Sequence, residues 1–265
     1  MMRVWGHLGV GLLLLASAAV SIPACAHDDS TLFVQDVLLA QPVSAGQVCV
    51  FTSDPKQPFI SSGILDLALR NQYDATFLLG NQMVSESNSE QLQTETSIIT
   101  VQGAVVRITD AAGAQLNTFT RLTSATIYPA SGTVPGYAPV GVTILDSSTT
   151  TGGAVAGTVG SGGVARLVSY VKFFGVTLGG KSVESDEFEF PVDICFGCLI
   201  SFSPADISPL FAAPNCKAAA SGTSSTSIPV PCIPGQDTSI DCSACLNNAS
   251  CNPNTAPIAD AGAGG

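Results

Sequence analysis

Seven of the nine cysteines in this chain fall between Cys195 and Cys251. A run that dense over so short a stretch points to a loop-rich segment stapled by crosslinks rather than to an ordinary packed domain. Cys49, Cys195, Cys198, Cys216, Cys232, Cys242, Cys245 and Cys251 form an even set, and Cys25 stands apart from it. An even set fits a disulfide framework in an exported chain. The Cys195-Phe-Gly-Cys198 and Cys242-Ser-Ala-Cys245 pairs each have zinc-ligand spacing, but the gap between them is far too long for a standard ribbon. The reading is therefore disulfides, with no metal site. A thioredoxin-like role needs a C-x-x-C that opens a helix within α/β architecture, and no α/β repeat surrounds Cys195. Seven is an odd number, so full oxidation requires Cys49 to pair into the segment and clamp it onto what precedes it. Eight cysteines allow on the order of a hundred pairings, so the connectivity stays open.

What precedes the segment reads as strands. Phe188, Phe190 and Val192 share one face of Phe188–Asp193, with Glu189, Pro191 and Asp193 on the other. That alternation marks a half-buried antiparallel strand. Pro191 cannot donate to a ladder, which suggests a sheet edge or a strand end. Further strands are expected at Leu32–Leu39, Gln47–Thr52, Ile64–Leu69, Tyr73–Val84, Thr96–Ile108, Arg121–Tyr128, Val140–Leu145 and Val164–Val176. Gly103 is a plausible bulge within the fifth of these. Asp110–Gly113 and Gly179-Gly180 read as turns. Ser147–Gly163, rich in Ser, Thr and Gly, reads as a long flexible loop, and nearly nothing reads as a long amphipathic helix. So many short strands predict an all-β fold: an Ig-like or fibronectin-like antiparallel β-sandwich, with a small barrel as the alternative. The disulfide-rich, loop-dominated module follows it.

The charge balance narrows the partners. Only 11% of the 265 residues are charged, and the net charge is −11. Lys and Arg are scattered singly, so nucleic acid and anionic head groups are poor partners. The two histidines are His7 and His27, both before the first expected strand. A body without histidine has no His base for Ser or Cys hydrolysis and no His metal ligand. Gly-x-Ser-x-Gly, Walker and Gly-x-Gly-x-x-Gly signatures are missing from the sequence. No catalytic residue and no cofactor is assigned. Glu184, Asp186, Glu187 and Glu189 could be read as calcium ligands, yet no EF-hand-type loop contains them, and a solvated strand face is the better account. Asp237 and Asp241, which flank a cysteine loop, are read the same way. The amides of Asn81-Gln82 are expected to cap a sheet end. Gly160-Ser-Gly-Gly163 reads as linker. Asn248-Ala-Ser250 is a sequon only in a glycosylating host.

The N-terminus sets the address. Met1–His7 carries one positive charge, Arg3, and Leu8–Val20 is uncharged and apolar. That is signal-peptide anatomy, too short for a span of about 20 residues. Ile22-Pro23-Ala24-Cys25 resembles the lipobox of a bacterial lipoprotein, although Pro23 departs from the commonest choice. The resemblance implies cleavage before Cys25 and lipid on Cys25, with the membrane as partner through that lipid. Ala26, rather than the aspartate of inner-membrane retention, implies outer-membrane sorting in a Gram-negative cell. Ordinary cleavage after Ala26, and secretion, is the alternative. Gly175–Gly180, Phe188–Val192 and Cys195–Leu199, continued by Pro231–Asp237 and Asp241-Cys242, resemble uncharacterised Cys-rich lipoproteins of Gram-negative bacteria over the last third of the chain. That resemblance implies no activity.

The expected organisation is a signal peptide over 1–24, a lipidated tether over 25–30, the sandwich over 31–194, the Cys-rich module over 195–251 and a disordered tail over 252–265. The expected role is a surface-anchored, non-enzymatic binding or structural lipoprotein of the cell envelope, with a protein or polysaccharide of the envelope as ligand. A carboxylate-based extracellular hydrolase and an accessory subunit of an envelope assembly are the alternatives. The hydrolase requires a deep cleft with two facing carboxylates.

Overall fold

The computed structural model describes residues 31–40, 49–86, 94–204, 207, 216 and 230–251. The expected signal peptide, Cys25 with its tether, and the tail over 252–265 lie outside the described residues.

In chain order the strands are β1 (Leu32–Leu38), β2 (Phe59–Ile60), β3 (Gly63–Asp66), β4 (Tyr73–Asn81), β5 (Ile99–Asp110), β6 (Gln115–Ile127) and β7 (Gly136–Leu145). Two short helices follow, α1 (Ser147–Thr150) and α2 (Gly153–Gly160). The chain returns to strands with β8 (Ala165–Thr177), β9 (Ser182–Glu184), β10 (Phe188–Cys195), β11 (Ile200–Ser201) and β12 (Ile240–Asp241). One sheet has the order β2-β1-β4-β7. The facing sheet has the order β3-β10-β8-β5-β6, with β9 added beside β8. Within both, pairing is antiparallel except for β3 against β10. The chain is therefore an all-β sandwich.

Alternation builds the interface between the sheets. In β8 the inward residues Leu167, Ser169, Val171 and Phe173 are buried, while Val168, Tyr170, Lys172 and Phe174 face outward and are half-buried. The period of two sends successive side chains to opposite faces. The β4 strand is buried at nearly every position, as its apolar residues on both faces predict. Phe77 of β4 meets Phe173 edge-on, with ring centroids 5.1 Å apart, and Phe188 at 6.0 Å. Tyr73 meets Phe190 at 5.9 Å. These rings cross from one sheet to the other. Each buries enough apolar area to contribute about 2–3 kcal/mol.

The bulge expected at Gly103 is present: both ladders of β5 shift register between Val101 and Gly103. Pro191 lies in a strand with neighbours on both sides, yet β3 pairs with β10 only from Val192 onward. Opposite Pro191 the sheet is locally an edge, and its missing N–H is harmless there.

Two expectations are corrected. Ser147–Gly163 is not a flexible loop, because it holds α1 and α2. Asp146 caps α1, accepting from the Thr149 N–H at 3.0 Å and the Thr149 hydroxyl at 2.6 Å. Val155 and Val159, one turn apart, are buried and dock α2 on the core. Gly162, at φ 83°, ends α2 in the left-handed conformation that helix C-caps favour. The abundance of Ser, Thr and Gly concealed a capping residue and an i,i+4 apolar pair. The second correction concerns Gln47–Thr52. Gln47 and Val48 lie outside the described residues, and Cys49–Thr52 hold a single β-bridge at Val50 rather than a run of strand. Thr52 and Gln57 instead close a turn, with the Thr52 N–H donating to Gln57 Oε1 at 3.1 Å. Asp54-Pro55 is turn chemistry, and it overrides the apolar residues before it.

Candidate functional site

The eight described cysteines are joined as Cys49–Cys232, Cys195–Cys198, Cys216–Cys242 and Cys245–Cys251. Cys49 thus reaches into the C-terminal module across 183 residues. Two places gather a carboxylate with two sulfurs, Asp66 with Cys195 and Cys198, and Asp241 with Cys216 and Cys242. In each the sulfurs are bonded to one another, which withdraws them as metal ligands.

Where the module meets the sandwich, a polar network forms around Gln236 and Asp237. Gly235 and Asp237 extend the sheet beyond β3: the Asp66 N–H donates to the Gly235 carbonyl at 2.9 Å, and the Asp237 N–H donates to the Ile64 carbonyl at 3.0 Å. Leu65 and Gln236 form an antiparallel bridge between these bonds. The open edge of the sheet is thereby covered by the module. On the facing sheet β1 pairs with β4 only from Phe77 onward, which leaves the backbone of Asp74 without a strand on that side. The Gln236 side chain fills the gap. It accepts from the Asp74 N–H at 3.1 Å and donates to the Asp74 carbonyl at 2.7 Å, as a peptide unit would. Gln236 thus joins both sheets, one through its backbone bridge to Leu65 and the other through its side chain.

Asp237 closes the network. Its carboxylate accepts from the Tyr73 hydroxyl at 2.6 Å, the Ile64 N–H at 2.9 Å and Gln236 Nε2 at 3.3 Å. Burial nevertheless pushes its carboxyl above the ordinary range, against the pull of those three donors. Burial, then the charge of Asp237, raises the Tyr73 phenol so far that it remains a donor. Asp237 is also the one described non-glycine residue with positive φ, at 60°. Aspartate tolerates that conformation better than most residues. Tyr73 reaches Asp237 across Gly63, where a Cβ would lie 2.4 Å from the phenol oxygen.

The neighbouring Asp74 is occupied as well. It pairs with Arg70 and accepts from the Thr143 hydroxyl at 2.5 Å. Asp74 and Asp237 both line a cavity of about 30 Å³ beside Tyr73 and Cys232. That volume suits one or two waters, not a sugar or a peptide. The two-carboxylate cleft that a hydrolase requires is not formed by this pair.

Two of the four clustered acidic candidates are paired with cations. Glu184 pairs with Lys172 at 2.5 Å, and Glu187 pairs with Arg107 at 2.8 Å. Arg107 also lies over the Tyr170 ring at 4.0 Å from its centroid. Together with the Arg166–Asp193 pair at 2.6 Å, these form a row of matched charges on the outer face of the β10-β8-β5 sheet. Asp241 accepts from the Ser243 N–H at 2.9 Å and caps a helical turn. Asn81 donates to the Ser97 carbonyl at 2.8 Å and the Ile127 carbonyl at 3.3 Å, so it ties strand ends together as expected. The sequon residue Asn248 donates to the Ala68 carbonyl at 2.8 Å.

Sequence reading singled out Asp237 but missed Tyr73, Asp74 and Gln236, because nothing local marks residues whose partners lie more than a hundred positions away. It missed Asp66 for the same reason. That carboxylate is fully buried and accepts from the N–H groups of Ala68, Gly197 and Leu199 at 2.9, 2.6 and 2.8 Å.

No family model matches the chain, and no curated protein matches it. Among solved structures it is similar to one titled "Crystal structure of protein from Archaeoglobus fulgidus", at 13% identity and a TM-score of 0.28, over 49% of this chain and 92% of that one. A likeness at that TM-score carries no argument about function.

Proposed function

We propose that this chain is a surface-anchored, non-enzymatic binding or structural lipoprotein of the cell envelope, held at the outer membrane by lipid on Cys25. The observation that carries the reading is the junction of module and sandwich. The disulfide Cys49–Cys232, the Gln236 side chain and Asp237 weld the two parts, and the enclosed space between them is about 30 Å³. The larger hollows, of about 390 Å³ beside α1 and α2 and about 270 Å³ beside Arg121 and Thr143, are open to solvent, so such a body offers its outer surface to a protein or polysaccharide of the envelope. The charge row of Arg107, Tyr170, Lys172 and Arg166 with their acidic partners is the face best fixed for that purpose. Among the described residues no helix is long and apolar enough to cross a membrane, so attachment in this reading falls to the lipid.

Intact-mass spectrometry of the membrane-extracted protein tests the anchor. The expected result is a mature chain starting at Cys25 with added acyl mass, and a Cys25→Ser chain that is released from the membrane. A mature chain starting at His27, without lipid, would refute it.

A further inference from the structure

We propose that the Cys195–Cys198 bridge is a thiol–disulfide exchange site, with Cys198 as the attacked sulfur and protein dithiols as substrates. The exchange is stoichiometric, one substrate dithiol per bridge, so it adds to the non-enzymatic binding or structural reading and does not depend on the anchor.

The first observation is asymmetric burial. Cys198 is exposed, whereas Cys195 is 4% exposed and ends the internal strand β10. None of the other six described half-cystines is classed as exposed. An exposed bridge is the labile kind, since an incoming thiolate needs access to one sulfur along the S–S axis.

The second observation is that the bridge is not what holds its own turn. Asp66 does so through the N–H groups of Gly197 and Leu199, at 2.6 and 2.8 Å. The bridge spans only three positions, so it restrains little of the unfolded chain. The turn keeps its anchor when the sulfurs separate.

The third observation is a place prepared for the reduced form. Cys195 Sγ lies 3.5 Å from the Leu65 carbonyl oxygen. A Cys195 thiol would donate its proton there, so reduction leaves no orphaned buried group. Phe196, between the two cysteines, is 61% exposed. It offers an apolar contact to an incompletely folded polypeptide.

The exchange balances as follows. A thiolate of the substrate attacks Cys198 Sγ, forming a mixed disulfide and breaking the Cys195–Cys198 bond. Cys195 leaves as a thiolate and takes the proton of the substrate's second thiol. That second sulfur, now a thiolate, attacks the first substrate sulfur and expels Cys198. Cys198 takes from water the proton that the first substrate thiol released. The substrate loses two electrons and two protons and becomes a disulfide, while Cys195 and Cys198 become a dithiol.

The test uses the full mature chain, purified oxidised, in glutathione buffers of stepped ratio. Alkylation and peptide mapping then report which cysteines have opened. The probe is an unstructured peptide with two cysteines flanking a phenylalanine. The expected result is that Cys195 and Cys198 open together at a glutathione ratio at least about tenfold less reducing than any other bridge requires. The oxidised protein should also convert the reduced peptide to its disulfide, in step with its own reduction. With the peptide supplied instead as its disulfide, the Cys198 thiolate of Cys195→Ser should attack it and hold it as a mixed disulfide, the second peptide sulfur leaving as a thiolate, and Cys198→Ser should capture it at least about tenfold more slowly. A bridge that opens only with the others, or a peptide that stays reduced, would overturn the proposal. Equal trapping by both variants would do the same. The two arms on the unsubstituted chain decide the matter should either variant fail to fold.

Discussion

Replacing Cys49 and Cys232 together by alanine should destabilise the protein more than opening any other bridge. The reason lies in the unfolded chain. The bridge closes a loop of 183 residues, and on the chain-entropy account its removal returns about 5 kcal/mol of freedom to the denatured ensemble. The Cys195–Cys198 bridge closes a loop with a sequence separation of 3, for which the same relation gives only about 2 kcal/mol. In the folded state the module stays docked without the long bridge. Backbone bonds from Asp66 and Asp237, the Gln236 side chain and the Asn248 amide still hold it. The loss should therefore appear as a lower urea midpoint with a larger slope, because the denatured chain becomes more expanded. Urea unfolding of the oxidised parent and of the two double-alanine variants measures the order directly. An equal loss from both double substitutions would refute the reasoning. So would a Cys49→Ala, Cys232→Ala protein whose module exchanges its amide hydrogens freely while the sandwich stays protected.

Gln236→Ala should cost about 1–3 kcal/mol in the same assay, since it strips the half-buried Asp74 backbone of both partners. Asp237 sets a pH dependence with a definite sign. Its folded carboxyl is raised by burial, so the stability it contributes is complete below about pH 4 and is lost as pH rises through the raised value. Asp237→Asn should remove that decline, and urea midpoints of both proteins between about pH 4 and 8 would show it. Asp146→Ala should cost about 1 kcal/mol through loss of the α1 cap, with faster hydrogen exchange confined to α1 and α2. Uniform destabilisation without local exchange would contradict the assignment of Asp146 as a cap.

The sandwich was legible because alternation is a local signal. Phe188–Asp193 shows it within a few residues, and β10 lies there. The need for Cys49 to join the module followed from parity alone, and Cys232 is its partner. What was hidden depends on distance along the chain. Gln236 is defined by the gap it fills at Asp74, 162 residues earlier, and Asp66 by a turn 131 and 133 residues later. Neither has a neighbour in sequence that would mark it. The helices after β7 were masked for a different reason, since weak helix formers were recruited by one cap and two valines.

The covering of β3 by Gly235–Asp237 also sets a timetable. As the chain emerges from its N-terminus, β3 appears early, its partner β10 follows more than a hundred residues later, and the segment that seals its other side is among the last to arrive. Until then a bare strand edge faces outward, ready to pair with another chain. Pairings so distant in sequence also form slowly. The newborn protein is therefore most vulnerable to self-association just before its final cysteines are joined, and a chain cut short of Gly235 should clump rather than merely lose its tail.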